Sequence, residues 1–248
     1  MTKFTITGAS GLVGCQLVDL LTAEGHEVVA ASRSTGVDVL TGEGLAAALA
    51  GADVLVDVTN SPSYEDDPVL AFFTTAAANQ LAAAKDAGVG HYVALSIVGV
   101  DGMPDSGYMR AKIAQETAIV DSGLPYSVVR ATQFAEFASG IVASLVVGDE
   151  VRVPDALIQP IVAADVVAEL ARVAVGGPLN GIVNIGGPEK ISFATLAGAV
   201  LSTLGDDKTV TVDPAATYFG AHVGEFSLAT GDEATLAETR FSDWLASR

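Results

Sequence analysis

Short apolar runs alternate with longer stretches in which apolar residues recur at helical spacing along most of the chain. The short runs predict strands near Phe4–Thr7, Glu27–Ala31, Val54–Val58, Tyr92–Leu95, Ser127–Val129 and Ile182–Ile185. Their Val, Ile and Ala content suits strands covered on both faces. The longer patterns predict helices near Leu12–Glu24, Leu45–Leu49, Val69–Ala87, Tyr108–Ser122, Ala164–Val175, Phe193–Leu204 and Glu233–Leu245. Gly25, Gly88 and Gly123 stand where helices should stop, as C-terminal caps do. This alternation predicts βαβ units and a doubly wound parallel sheet of the α/β class. After about residue 130 the strands shorten, and Pro154, Pro160, Pro178, Pro188 and Pro214 punctuate the chain. The expectation is one domain over residues 1–248, with residues 131–248 contributing a small C-terminal substrate-binding lobe. Open α/β sheets bind their ligands at the C-terminal edge of the strands, where such a lobe would lie.

Charge narrows the partners. Twelve Lys and Arg face 30 Asp and Glu, for a net charge of −18. Such a surface repels phosphate backbones and anionic lipids, which disfavours nucleic-acid and membrane partners and leaves a small molecule. The one cysteine, Cys15, excludes an intramolecular disulfide, and its place in the first helical pattern suggests a buried side chain. No charged-then-apolar leader opens the chain and no apolar run reaches spanning length, so a cytoplasmic location is expected. Oligomeric state is left at monomer or homodimer. His26, His91 and His222 are scattered without metal-ligand spacing, so turn or surface positions are expected and no metal. Glu65-Asp66-Asp67 reads as a solvated turn and helix start.

Gly8, Gly11 and Gly14 directly follow the first strand and open the first helix. Gly8 permits a tight exit, Gly11 lets backbone approach a pyrophosphate, and Gly14 lets helix and strand pack closely. The helix start offers unpaired N–H groups and partial positive charge. Strand, glycine turn and helix in this order predict a Rossmann-type fold that binds a nicotinamide dinucleotide. An NAD binder usually carries a carboxylate at the end of its second strand. Here Arg33 stands there, between Ser32 and Ser34. A guanidinium grips a 2′-phosphate through forked bonds, which favours NADP(H) and leaves NAD(H) possible. Asp38 is a further candidate beside the adenine.

Tyr108-Met109-Arg110-Ala111-Lys112 places a phenol and an ammonium four residues apart at a predicted helix start, on one face. Ser96 ends the preceding strand. A neighbouring ammonium lowers a phenol's pKa and a serine hydroxyl can hold a substrate oxygen, as carbonyl reduction requires.

The chain resembles an atypical short-chain dehydrogenase/reductase of the NmrA-like, NAD(P)H-binding type. The marks are the G-x-x-G-x-x-G turn Thr7–Gly14, Ala94-Leu95-Ser96, Tyr108–Lys112, Pro125–Arg130, Ala164–Val167 and Gly186–Glu189, over about residues 3–200. The resemblance implies that Gly8, Ser10, Gly11, Leu12, Val13 and Arg33 contact cofactor. It also implies that Thr59-Asn60-Ser61 passes near the ribose, and that Thr132-Gln133-Phe134 approaches nicotinamide or substrate. Asn79 stands where related reductases place a supporting asparagine, although a solvated helix position is the plainer reading. Two functions stay open: an NADPH-dependent oxidoreductase reducing a carbonyl or quinone-like molecule at Ser96, Tyr108 and Lys112, or a non-catalytic NADP(H)-binding redox sensor. An epimerase or dehydratase with tightly held NAD is a third, against which Arg33 speaks.

Overall fold

The computed structural model describes residues 1–248. The strands are β1 (Lys3–Thr7), β2 (Glu27–Ala31), β3 (Val54–Asp57), β4 (His91–Ile97), β5 (Tyr126–Ala131), β6 (Val146–Val147), β7 (Glu150–Val153), β8 (Leu157–Ile158), β9 (Gly181–Gly186), β10 (Ile191–Ser192), β11 (Thr209–Val212) and β12 (Thr235–Leu236). The α-helices are α1 (Leu12–Ala23), α2 (Leu45–Ala48), α3 (Asp66–Ala87), α4 (Gly107–Val120), α5 (Ala138–Ser144), α6 (Ala163–Gly176), α7 (Phe193–Leu204) and α8 (Phe241–Ala246). A seven-stranded sheet has the order β12-β9-β5-β4-β3-β1-β2, with β6–β8, β10 and β11 in two small sheets. The pairings of β1 with β2 and β3, of β3 with β4, and of β9 with β12 are all parallel. The chain steps from β1 outward to β2, then back across β1 to β3. The ends of β1 and β3 therefore flank a topological switch point, where open α/β sheets form their ligand crevice. No helix is long and apolar enough to cross a membrane.

The chain forms two compact units. One comprises Met1–Ser96, Gly107–Arg130 and Val166–Val183; the other comprises Ile97–Ser106, Ala131–Asp165 and Asn184–Arg248. In the first, Leu49, Leu55, Leu81, Tyr92, Ile119 and Val128 form a buried cluster. Each fully buried side chain of this size contributes roughly 1.5–3 kcal/mol. Helices α3 and α4 cross where Gly107 meets Asp66, and a Cβ at Gly107 would fall on the Asp66 carboxylate. In the second unit α7 packs on β7, burying Leu196 and Val200 with Val151 and Val153.

Three expectations are corrected. Residues Glu233–Leu245 are not one helix: Thr235 and Leu236 pair with Ile185 and Gly186, and the helix is confined to Phe241–Ala246. Strand pairing overrides the helical pattern there. Helix α5, too short to announce itself by periodicity, was not expected. Cys15 is exposed, because the buried face of α1 runs through Val13, Gly14, Leu17 and Leu21. His91 is buried at the start of β4, its Nε2 at 2.9 Å from Ser127 Oγ, and burial pushes its pKa below 6.5.

Candidate functional site

The glycine turn begins where β1 ends. Gly8 has φ +79°, and a Cβ there would meet Val58 O at 2.7 Å. Both facts demand glycine. At Gly14 a Cβ would lie 2.2 Å from Gly8 O, so Gly14 is a packing residue that holds α1 against the turn. Gly11 is different. A Cβ there would approach Gly8 O at 3.3 Å and nothing else within 4 Å, leaving the outer side of this exposed residue open. Gly11 caps α1 without a side-chain hydrogen bond, and the first turn carries no acidic residue. The first helical bond runs from Cys15 N to Gly11 O at 3.1 Å, so the amides of Leu12, Val13 and Gly14 precede the ladder. Ser10 and Leu12 are exposed, and Val13 is buried. Open backbone, unpaired amides and no competing carboxylate are what a diphosphate requires.

After β2 the chain enters a 3₁₀ turn, Arg33–Thr35, closed by a reciprocal cap between Ser32 and Thr35. Ser32 Oγ lies 2.8 Å from Ser34 Oγ, so the serines hold each other. Arg33 is exposed and joins none of the molecule's ion pairs. In so acidic a chain an unpaired guanidinium at the switch-point edge fits a phosphate. Asp38 closes its own loop, Oδ1 accepting from Leu40 N at 2.7 Å.

Ser96, Tyr108 and Lys112 lie in the first unit with the glycine turn. The Tyr108 hydroxyl donates to Asn60 Oδ1 at 2.7 Å. Its ring meets Phe73 edge-on with centroids 5.7 Å apart, and Tyr64 at 5.4 Å. Lys112 is 3% exposed; its Nζ donates to Leu95 O at 2.8 Å and to Gln115 Oε1. The same Nζ lies over the Phe73 ring, 4.5 Å from its centroid. The helical spacing thus brings phenol and ammonium against one ring, with the ammonium drawn toward the end of β4. Burial pushes the Lys112 pKa down to about 8, against the opposing fields of Asp57 and Glu116. Ser96 is 3% exposed, and its Oγ has no hydrogen-bond partner. An unmade bond of this kind costs about 1–3 kcal/mol, which a ligand oxygen would recover.

Sequence reasoning missed the group that ties these parts together. Asp57, at the end of β3, is 1% exposed. Its Oδ1 accepts from Thr59 N at 3.0 Å and Thr59 Oγ1 at 2.6 Å. Its Oδ2 accepts from Gln115 Nε2 at 2.9 Å, Gln80 Nε2 at 3.0 Å and Tyr92 Oη at 3.1 Å. Thr7 Oγ1 donates to Gln80 Oε1 at 2.6 Å. Burial raises the Tyr92 pKa well above 10, and the Asp57 charge adds to it, so the phenol stays a donor. The available signal was a carboxylate closing the otherwise apolar run Val54-Leu55-Val56-Asp57.

Other expected positions resolve as follows. Asn79 is no solvated residue: its Nδ2 donates to Val39 O at 2.9 Å and Leu40 O at 2.8 Å, holding the loop that carries Asp38. Arg130 braces the sheet through two bonds to Glu116, at 2.9 and 2.6 Å. Asp66 begins α3 and pairs with Arg110 at 2.6 Å. In the second unit Thr132 is buried, its N–H donating to Ile185 O at 3.0 Å, and neighbouring Gln133 has both side-chain polar atoms unpaired.

A family model described as NAD(P)H-binding matches residues 8–172. The chain belongs to this NAD(P)H-binding family. A search of curated proteins found no match. Among solved structures, this family member shares its fold with the UDP-N-acetylglucosamine 4-epimerase of Bacillus cereus. The identity is 15%, with a TM-score of 0.72 over 100% of this chain and 95% of the other. It is also similar to the Bordetella bronchiseptica enzyme WbmH, solved in complex with NAD+, at 18% identity, TM-score 0.75 and 99% and 96% coverage. A dTDP-4-dehydrorhamnose reductase ortholog of Clostridium acetobutylicum aligns at 18% identity, TM-score 0.69 and 95% of each chain. The chain is thus a member of an NAD(P)H-binding family whose fold is like that of these solved enzymes.

Proposed function

We propose that this NAD(P)H-binding protein is an NADPH-dependent reductase of a small carbonyl or quinone-like molecule, with Ser96, Tyr108 and Lys112 as its reacting side chains. The observation that carries the reading is the buried, unpartnered Ser96 hydroxyl in the compact unit that also holds Tyr108 and the glycine turn. NADPH, when bound, supplies hydride to the carbonyl carbon. The amides of Leu12 and Val13, with Gly8, Ser10, Gly11 and the packing glycine Gly14, would hold its diphosphate. Arg33, with Ser32, would take the 2′-phosphate, Asp38 would lie near the adenine, and Thr59 and Asn60 would lie near the ribose.

Tyr108 Oη donates its hydrogen bond to the uncharged Asn60 Oδ1, a bond that a substrate oxygen would replace. The phenol proton would pass from Tyr108 Oη to the substrate oxygen while Ser96 Oγ donates a hydrogen bond to the same oxygen. The phenolate left behind would regain its proton from solvent. Lys112 would hold ribose and favour the phenolate by its charge. The test is NADPH oxidation across a panel of carbonyl and quinone substrates, with NADH in parallel. Substrate-dependent oxidation with NADPH preferred is expected. Tight NADPH binding with no oxidation by any acceptor would overturn the enzyme reading and favour the redox sensor.

A further inference from the structure

The geometry points to Asp57 and Gln115 as positioning residues of the reaction site: a buried carboxylate that, through the Gln115 amide, fixes Lys112 and simultaneously anchors the turn that holds Tyr108. This rests on the Ser96–Tyr108–Lys112 reading above. Asp57 does not touch Lys112 directly in this chain of bonds. Gln115 Nε2 donates to Asp57 Oδ2 at 2.9 Å, and Gln115 Oε1 accepts from Lys112 Nζ. One amide therefore spends its donor on the anion and its acceptor on the cation, which fixes its orientation and links the two charges. On its other oxygen Asp57 receives both donors of Thr59, the residue before Asn60, which holds the Tyr108 hydroxyl. Through Gln80 it reaches Thr7, the last residue before the glycine turn. A single carboxylate thus joins β1, β3, β4, α3 and α4 at the switch point.

The charge matters as much as the bonds. Taking an ammonium out of water favours the neutral amine, and a nearby anion opposes this. The charged groups acting on Lys112 are Asp57 from β3 and Glu116 from its own helix; of the titratable phenols, Tyr108 of the same helix shares the Phe73 ring with it and Tyr92 from β4 donates to Asp57. Arg130 from β5 occupies both oxygens of Glu116. Asp57 and Glu116 both favour the Lys112 ammonium, and Asp57 is the stronger of the two.

The experiment follows the Lys112 side chain by NMR in protein labelled with ¹³C at lysine Cε, assigned by its loss in Lys112→Met. NADPH affinity is measured by calorimetry over the same pH range. In Asp57→Asn and, separately, in Gln115→Met, the Lys112 titration is expected to move down by about one pH unit. The pH at which NADPH affinity halves should move with it. Tyr92→Phe removes a donor to Asp57 but no charge, so it is expected to lower the melting temperature while the Lys112 titration stays within about 0.3 unit. Unchanged Lys112 titration in a folded Gln115→Met or Asp57→Asn protein would overturn the inference, as would an equal shift in Tyr92→Phe. The NMR readout needs no substrate. Absence of turnover in the unaltered protein would therefore count against the proposed function alone.

Discussion

At the scale of single residues, the site depends on what each side chain is left to bond. Ser96 Oγ has no partner, Arg33 has no carboxylate, and the Tyr108 hydroxyl is held by a neutral amide. Removing the Tyr108 oxygen should therefore remove chemistry without removing binding. Tyr108→Phe is expected to lower kcat by about 10²–10⁴-fold with NADPH affinity preserved, as steady-state kinetics beside calorimetry would show. If Arg33 grips the 2′-phosphate, Arg33→Gln should weaken NADPH binding by about 10–100-fold and NADH binding little, since a charge-assisted bond contributes about 1.5–3 kcal/mol. Equal losses for both dinucleotides would remove Arg33 as the selector. Ser96, Tyr108, Lys112 and Arg33 could be named as candidates from the sequence because residue type and spacing alone suggest their chemistry. Asp57 was not, because its donors come from Thr59, Gln80, Tyr92 and Gln115, which periodicity cannot bring together.

At the scale of elements, the decisive unit is β1, the glycine turn and α1. Ala at position 14 would place its methyl carbon 2.2 Å from Gly8 O, so helix and turn must part. Gly14→Ala is expected to cost about 2 kcal/mol and lower the melting temperature by roughly 4–8 °C, measured by calorimetry without ligand. It should also weaken dinucleotide binding. A second element-level prediction concerns the start of β4. Burial keeps the folded-state pKa of His91 below 6.5, so the unfolded chain binds the extra proton more readily. The stabilisation from neutral His91 is fully present above pH 6.5 and is lost as pH falls through the folded-state value. Denaturant titrations from pH 8 to pH 5 should therefore show declining stability, with a shallower decline in His91→Gln. The six strands predicted from apolar runs all formed; β1, β3, β4 and β5 are mostly buried and leave a nearly continuous apolar signature, while the half-exposed β2 and β9 were legible from their Val, Ile and Ala content. Strand β12 was not legible and the helix predicted there began too early: two residues pair with β9, and a two-residue strand has no period to read.

At the scale of the whole molecule, a net charge of −18 opposes compaction by self-repulsion. Raising sodium chloride from about 0.05 to about 0.5 M shortens the screening length and should raise the melting temperature at pH 7; a fall would show that ion pairs dominate instead. The two compact units do not follow chain order, since residues 97–106 join the later segments and residues 166–183 the earlier ones. A composition shift near residue 130 could not disclose this interleaving. Local pattern determined the strand–helix alternation, the glycine turn at its head and the residue types able to bind a dinucleotide and move a proton. Those depend on side-chain period and chemical type, which a linear sequence records directly. The tertiary structure alone decided which way Lys112 reaches, which hydroxyl lacks a partner, and that one buried carboxylate ties the parts together. Hydrogen bonds between residues far apart in the chain exist only once the sheet has set its strand order.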